Sequence, residues 1–244
     1  GVLYTCFAYL LPKGPWREEP GYTAHQVISL PFLSYVTVVG GLAWCAPHTE
    51  PVSARVLGVD ETGQHLAALM MWVQVLWDLP VSLLVRSLRA DHTMLVHHIG
   101  LAVIAAVMQY PLYAYYANYF LGFSELSSIP LILVDMYRDE HRKWKRFIDE
   151  HTYMHPLLSV CRVCFVAAFV TLRACYFPFI IARDARAAYS ARTLFDGPPT
   201  LFYFPPLAGV LFSLLQWYWT YKIFLMILKH SKTTEKDQHI VTLV

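Results

Sequence analysis

The stretch His92–Tyr110, HTMLVHHIGLAVIAAVMQY, decides how the rest of the chain is read. From Ile99 to Met108 it carries no charged side chain, which suits hydrocarbon rather than water. Two adjacent histidines, His97 and His98, stand at its threshold. Ionisable groups at membrane depth cost roughly 2.5–3.5 kcal/mol each on insertion scales, so a pair of imidazoles there needs a reason.

Composition extends that reading to the whole chain. Of 244 residues 57% are apolar and 15% charged, with a mean hydropathy of +0.41, the balance of one multi-pass membrane domain rather than a water-soluble one. Aromatic residues gather where apolar runs end, as in YPLYAYYANYF (110–120) and LQWYWTYK (215–222), the placement of rings at headgroup level. A net charge of +2, scattered along the chain, does not suggest a nucleic-acid partner, and none is expected. The five cysteines sit mostly in or beside apolar runs, and the Cys161-x-x-Cys164 pair has no second pair, so neither a disulfide framework nor a zinc site is expected. The sequence starts at Gly1 without methionine, which leaves open whether residues precede it.

A crossing needs about 20 apolar residues. Six stretches qualify, near 26–46, 66–87, 93–111, 112–137, 156–182 and 201–229. They predict an all-α integral membrane domain over 26–229, preceded by a segment 1–25 that is interfacial or ends an upstream helix, and followed by a polar tail 230–244. The third and fourth stretches meet at QYPLY, where Pro111 disfavours helix at the residue before it and predicts an antiparallel hairpin. Lys13, Arg17, Arg86, Arg89, Arg138, Arg142, Lys143, Lys145, Arg146, Lys229, Lys232 and Lys236 fall on one side of a six-span chain. Only Arg55, Arg183, Arg186 and Arg192 fall on the other, so both termini are expected on the cytosol-like side. In the loop 137–155, Tyr137, Trp144, Phe147 and Ile148 are spaced along one helical face among charges, which predicts a short helix on the membrane surface.

Polar residues inside the stretches recur at helical spacing and so share faces. Gln74, Asp78 and Ser82 make one stripe; Asp91, His98, Ala102, Ala105 and Gln109 another, with His97 turned about 100° away. Asn118, Gly122, Glu125, Ser128 and Asp135 follow across the hairpin, then Arg162 and Arg173, then Ser213, Gln216 and Thr220. Lipid does not accept such faces, so the helices are expected to surround a polar interior. Gln74, Asp78, Gln109, Asn118, Ser128, Asp135, Arg162, Arg173 and Gln216 are the candidate cavity residues. Buried ion pairs that merely hold the bundle together are the competing reading of the same residues.

Four motifs in order, WDLPVS (77–82), DHTMLVHH (91–98), YFLGFSELSSIP (119–130) and LQWYWTYKI (215–223), resemble the TLC domain family of ceramide synthases, TRAM proteins and lipid-homeostasis relatives. The resemblance implies six transmembrane helices around a lipid-accessible cavity faced by the histidine pair. In ceramide synthases that pair supports transfer of an acyl group from acyl-CoA to a sphingoid amine, so the resemblance makes His97, His98 and Glu125 the candidate catalytic residues, with acyl-CoA as co-substrate if catalysis occurs. An imidazole accepts the amine proton or carries the acyl group, and a neighbouring carboxylate steadies the imidazolium. Ser128 stands where the synthase motif has its second acid, and FSELSSIP is similar to the non-synthase branch, for which lipid binding, sensing or remodelling is implied. The endoplasmic reticulum is the location that the resemblance implies.

Other histidine chemistry fits less well. The H-x-x-H-H boxes of membrane di-iron enzymes are missing, and adjacent histidines point apart where a bis-histidine haem needs opposed ligands. No metal and no cofactor is expected. The alternative function is a structural subunit of a larger membrane complex, including one of the mitochondrial inner membrane, with other membrane subunits as partners and the cavity filled by lipid or blocked. The Lys and Arg asymmetry yields a test: glycosylation-acceptor tags at both termini should stay unmodified while a tag in the 183–199 region is modified, and modification of one terminus alone would remove the six-span topology.

Overall fold

The computed structural model describes residues 2–85 and 92–241, with side chains except at His92 and from position 230 onward. Arg86, Arg89 and Asp91, counted above, lie outside the described residues, as do the side chains of Lys232 and Lys236. Backbone amides in hydrocarbon must be satisfied within their own segment, so apolar runs become helices. The main ones are α1 (Pro20–Cys45), α2 (Glu61–Leu84), α3 (His92–Val107), α4 (Ala114–Met136), α5 (Arg142–Glu150), α6 (Met154–Leu194) and α7 (Pro199–Val241). No strand occurs among the described residues.

Five helices are long and apolar enough to cross a membrane: α1, α2, α4, α6 and the Pro199–Lys229 part of α7. The third expected stretch, 93–111, appears as the shorter apolar helix Thr93–Val107 within α3. At 1.5 Å per residue it reaches roughly 22 Å, less than a hydrocarbon core of about 30 Å. Conversely α6, with 41 residues, is about twice the length of one crossing. Its end, beyond the expected boundary at 182, carries Arg183, Asp184 and Arg186.

The turn between α3 and α4 forms where Pro111 predicts it. Tyr113 adopts φ 59°, the left-handed region that costs a bulky residue energy. Its amide donates to Val56 O at 2.7 Å and its side chain is buried, so the surrounding packing holds the conformation. Two glycines let α1 cross α4 at backbone distance: a Cβ on Gly40 would lie 2.4 Å from Asn118 O and 2.7 Å from Gly122 Cα. Small residues at helix crossings give membrane bundles close van der Waals contact without a hydrophobic driving force. Likewise, a Cβ on Gly63 would lie 1.9 Å from Ala114 O, bringing the start of α2 against α4. Thus α4 is the centre of the bundle, with α1 and α2 on one side and α6 and α7 toward the other.

The loop helix predicted over 137–155 forms as α5, and part of its apolar face packs on the N-terminal segment. Trp144 and Ile148 are buried in protein, with Trp144 Nε1 donating to Thr23 Oγ1 at 3.1 Å and Trp16 packing edge-on against Trp144 and Phe147. Charge accounts for this docking. His141 stacks on Tyr22 at 3.5 Å and bonds Glu19 at 3.1 Å, while Lys143 pairs with Glu18, tying the loop to the N-terminal segment. The glycine crossing generates a prediction: Gly40→Val, which forces α1 off the α4 backbone, should lower stability by about 1–3 kcal/mol. Thermal unfolding in detergent checks it, with Gly209→Val, facing a flexible Ile181 side chain, as the milder comparison.

Candidate functional site

Four helices leave a cavity of about 230 Å³ between them. His97, Leu101 and Ile104 of α3 with Met108 just beyond it form one wall, and Tyr116, Phe120, Leu121, Ser124 and Glu125 of α4 the next. Arg173, Phe177, Ile180, Ile181, Asp184, Ala185 and Tyr189 of α6 face Phe202, Tyr203, Pro206, Gly209, Phe212 and Gln216 of α7. Each wall runs in register from a polar end to a second polar end. His97, Glu125, Arg173 and Gln216 lie at one, Asp184, Tyr189 and Tyr203 at the other, about 16 Å apart along α3. Between them the lining is aliphatic and aromatic.

The polar residues sit where the helices depart from α geometry. Gln74 and Asp78 bound a wide π-turn in α2. Asn118–Gly122 is π and Phe123–Ser127 is 3-10 in α4, and Phe169–Tyr176 is π in α6. Such interruptions are frequent at functional sites because they re-aim side chains and free backbone groups. Here the re-aiming brings Glu125 to Arg173. Glu125 Oε2 is 2.7 Å from Arg173 Nη2 and accepts from Ser128 Oγ at 2.7 Å. Arg173 Nη2 also donates to Ser128 Oγ at 3.0 Å, and Nε donates to Ser127 Oγ at 2.9 Å and Ser124 O at 3.2 Å. Both charged side chains are only 8% exposed, so the pair stands in a medium where an uncompensated charge would be costly.

The two histidines part company. His97 faces the cavity, buried, with its ring against His98, Phe212 and Trp219 and its Nδ1 without a hydrogen-bond partner. His98 turns toward α2, where Nδ1 donates to Gln74 Oε1 at 2.8 Å and lies 3.9 Å from Asp78 Oδ2. The other oxygen of Asp78 is 3.0 Å from His25 Nε2 of α1. So the α2 stripe makes a second polar cluster behind α3 and does not line the cavity.

The remaining candidate residues are placed elsewhere. Gln109 ties the α3–α4 turn to α2, its Nε2 donating to Met71 Sδ at 3.1 Å. Asn118 donates to Asp60 Oδ1 at 3.0 Å, the same oxygen that caps α2 through Gly63 N. Asp135 accepts from Tyr22 OH at 2.8 Å and Arg138 Nη1 at 3.0 Å at the α5 end of α4. Arg162 is exposed and lies over the Tyr137 ring at 5.1 Å, because eleven residues in a helix interrupted by a π-turn no longer bring it to the face of Arg173. Hence the cavity receives His97, Glu125, Arg173 and Gln216 from the candidate set, with Ser128 beside it bonded to the ion pair.

Sequence reasoning missed His25, which lies one residue before the first expected span, and Asp184. Asp184 is 6% exposed, accepts from Tyr116 OH at 2.8 Å and is bridged by its neighbour Arg183 at 2.6 and 2.8 Å. An Arg-Asp dipeptide reads as a solvated helix end, and only its burial against Tyr116 distinguishes it.

The TLC domain family model matches residues 22–225, which covers all four cavity walls. The chain belongs to the TLC domain family. Neither a curated protein nor a solved structure matches it. Within the TLC domain, the Glu125–Arg173 pair links the middle of α4 to the middle of α6. Arg173→Met should therefore destabilise the fold by about 3–5 kcal/mol by leaving a buried carboxylate unpaired. Glu125→Gln together with Arg173→Met should recover most of that loss in thermal unfolding, whereas a double variant no more stable than Arg173→Met would dissolve the pair's role.

Proposed function

We propose that this integral membrane TLC protein holds a lipid chain in its cavity, in the endoplasmic reticulum, without joining acyl groups to sphingoid amines. One observation carries the reading: Glu125, the acid that acyl transfer would set beside a histidine, is engaged by Arg173 and Ser128. General acid–base work needs the carboxylate within about 2.6–3.2 Å of the imidazole or one water away, in a state free to exchange a proton. Among the described residues no hydrogen bond joins Glu125 to His97, and His98 is turned to Gln74 and Asp78. The narrow apolar length between the polar ends suits hydrocarbon, which gains roughly 0.8 kcal/mol per methylene buried.

The expected outcome is that protein purified in mild detergent carries lipid in near-stoichiometric amount. Filling the lumen with Ile104→Trp should displace it without shifting the unfolding temperature by more than a few degrees. Acyl-CoA supplied with a sphingoid base should yield no N-acyl product. Formation of product that is lost in both His97→Ala and His98→Ala would establish acyl transfer instead. Protein free of lipid, whose deletion disperses a membrane complex, would establish the structural subunit.

A further inference from the structure

Gln216 is 2% exposed and lines the closed end of the cavity, yet its Oε1 has no hydrogen-bond partner. His97 lines the same end, 8% exposed, with Nδ1 likewise unpartnered. A buried polar atom left unmade costs about 1–3 kcal/mol, so two together at one end of the lumen call for a ligand group. The chemistry of that group follows from its surroundings. Glu125 and Arg173 cancel one another, and no acid pairs with His97 among the described residues, so the end carries no net positive charge for a carboxylate or phosphate. A primary amide and an imidazole each offer a donor and an acceptor, and an uncharged hydroxyl or amide answers both.

The opposite end is open. Tyr189 is 70% and Tyr203 43% exposed, and both stand on the side of the membrane that holds Arg183 and Arg186. Tyr113 OH, also buried and unpartnered, lines the cavity toward this end between Tyr116 and Phe202, so one unpartnered atom stands here against two at the His97–Gln216 end. Exposed methylenes cost about 0.8 kcal/mol each, so an aliphatic chain that fills the lumen ends at this rim.

Resting on the lipid-holding reading, we infer that the cavity takes a single-chain neutral lipid with its hydroxyl or amide group buried between His97 and Gln216. The chain then runs past Leu101, Ile104 and Ile180 toward the opening at Tyr189 and Tyr203. A fatty acid is disfavoured because its carboxyl, with a reference pKa near 4.3, is neutral in about one molecule in several thousand at pH 8.

Binding of a tritiated long-chain primary alcohol to the full chain in nanodiscs tests this, with the fatty amide, fatty acid and alkane of equal length as competitors at pH 8. The alcohol and amide should compete at least about tenfold better than the acid and the alkane. Gln216→Leu should lower alcohol affinity about three- to tenfold, the loss of one hydrogen bond, while leaving alkane competition unchanged. A diazirine beside the hydroxyl should label peptides containing Phe212–Trp219, and one at the chain terminus peptides containing Ala185–Tyr189 or Tyr203–Pro206. Equal competition by all four compounds, preference for the acid, or the reverse labelling pattern would overturn the inference and leave a lipid-holding cavity standing. Absence of any saturable chain binding would overturn the lipid-holding reading as well.

Discussion

The contact on which the rest of the bundle depends is the buried pair of Glu125 and Arg173. Each charge alone would be intolerable at 8% exposure in a hydrocarbon-surrounded protein, so each dictates the position of the other and of the helices that carry them. Ser124, Ser127 and Ser128 accept from Nε and Nη2 of the guanidinium, and that serine-rich turn is available because α4 tightens to 3-10 geometry between two differently wound segments. On the far side, α6 widens into a π-turn over the same depth and delivers Arg173 inward. Irregular backbone at membrane depth is tolerated where it is enclosed by protein, and here both interruptions face each other.

From that pair the partition of the polar residues follows. A carboxylate that already has an arginine and a serine does not orient an imidazole, so His97 is left to the cavity. Its neighbour in sequence, turned about 100° around α3, reaches the Gln74–Asp78–His25 cluster instead. Two adjacent histidines therefore do two jobs: one joins α3 to α2 and through Asp78 to α1, and the other closes the lumen. The glycine crossings complement this division. Gly40 and Gly122 bring α1 against α4 so closely that no space remains there, and Gly63 does the same for α2. The cavity lies on the other side of α4, where aromatic side chains of α6 and α7 and the prolines of α7 form its far walls.

Membrane class, the order of helices, the Pro111 turn and the TLC domain relationship were all legible in the chain, because each rests on local chemistry: apolar length, a missing amide hydrogen, or motifs kept in order. The inward placement of His97, Glu125, Arg173 and Gln216 follows from their cost in lipid. Which of them touch was not legible. Stripes drawn at 3.6-residue spacing assume an uninterrupted helix, and π- and 3-10 turns in α2, α4 and α6 rotate everything beyond them. That rotation sends Arg162 outward over Tyr137, and it makes Glu125 a partner of Arg173 rather than of the histidines.

What the sequence by itself determined is therefore the set of helices and the residues too polar for lipid, since the bilayer acts on each segment separately. Only the tertiary structure decided that these residues divide into an ion pair, a histidine–aspartate cluster and a cavity end, and that Asp184 and His25 belong among them. Those outcomes depend on helix rotation and on the distance between backbones. Both are set by long-range contacts, such as a glycine at position 40 meeting one at position 122, whose pairing no local pattern contains.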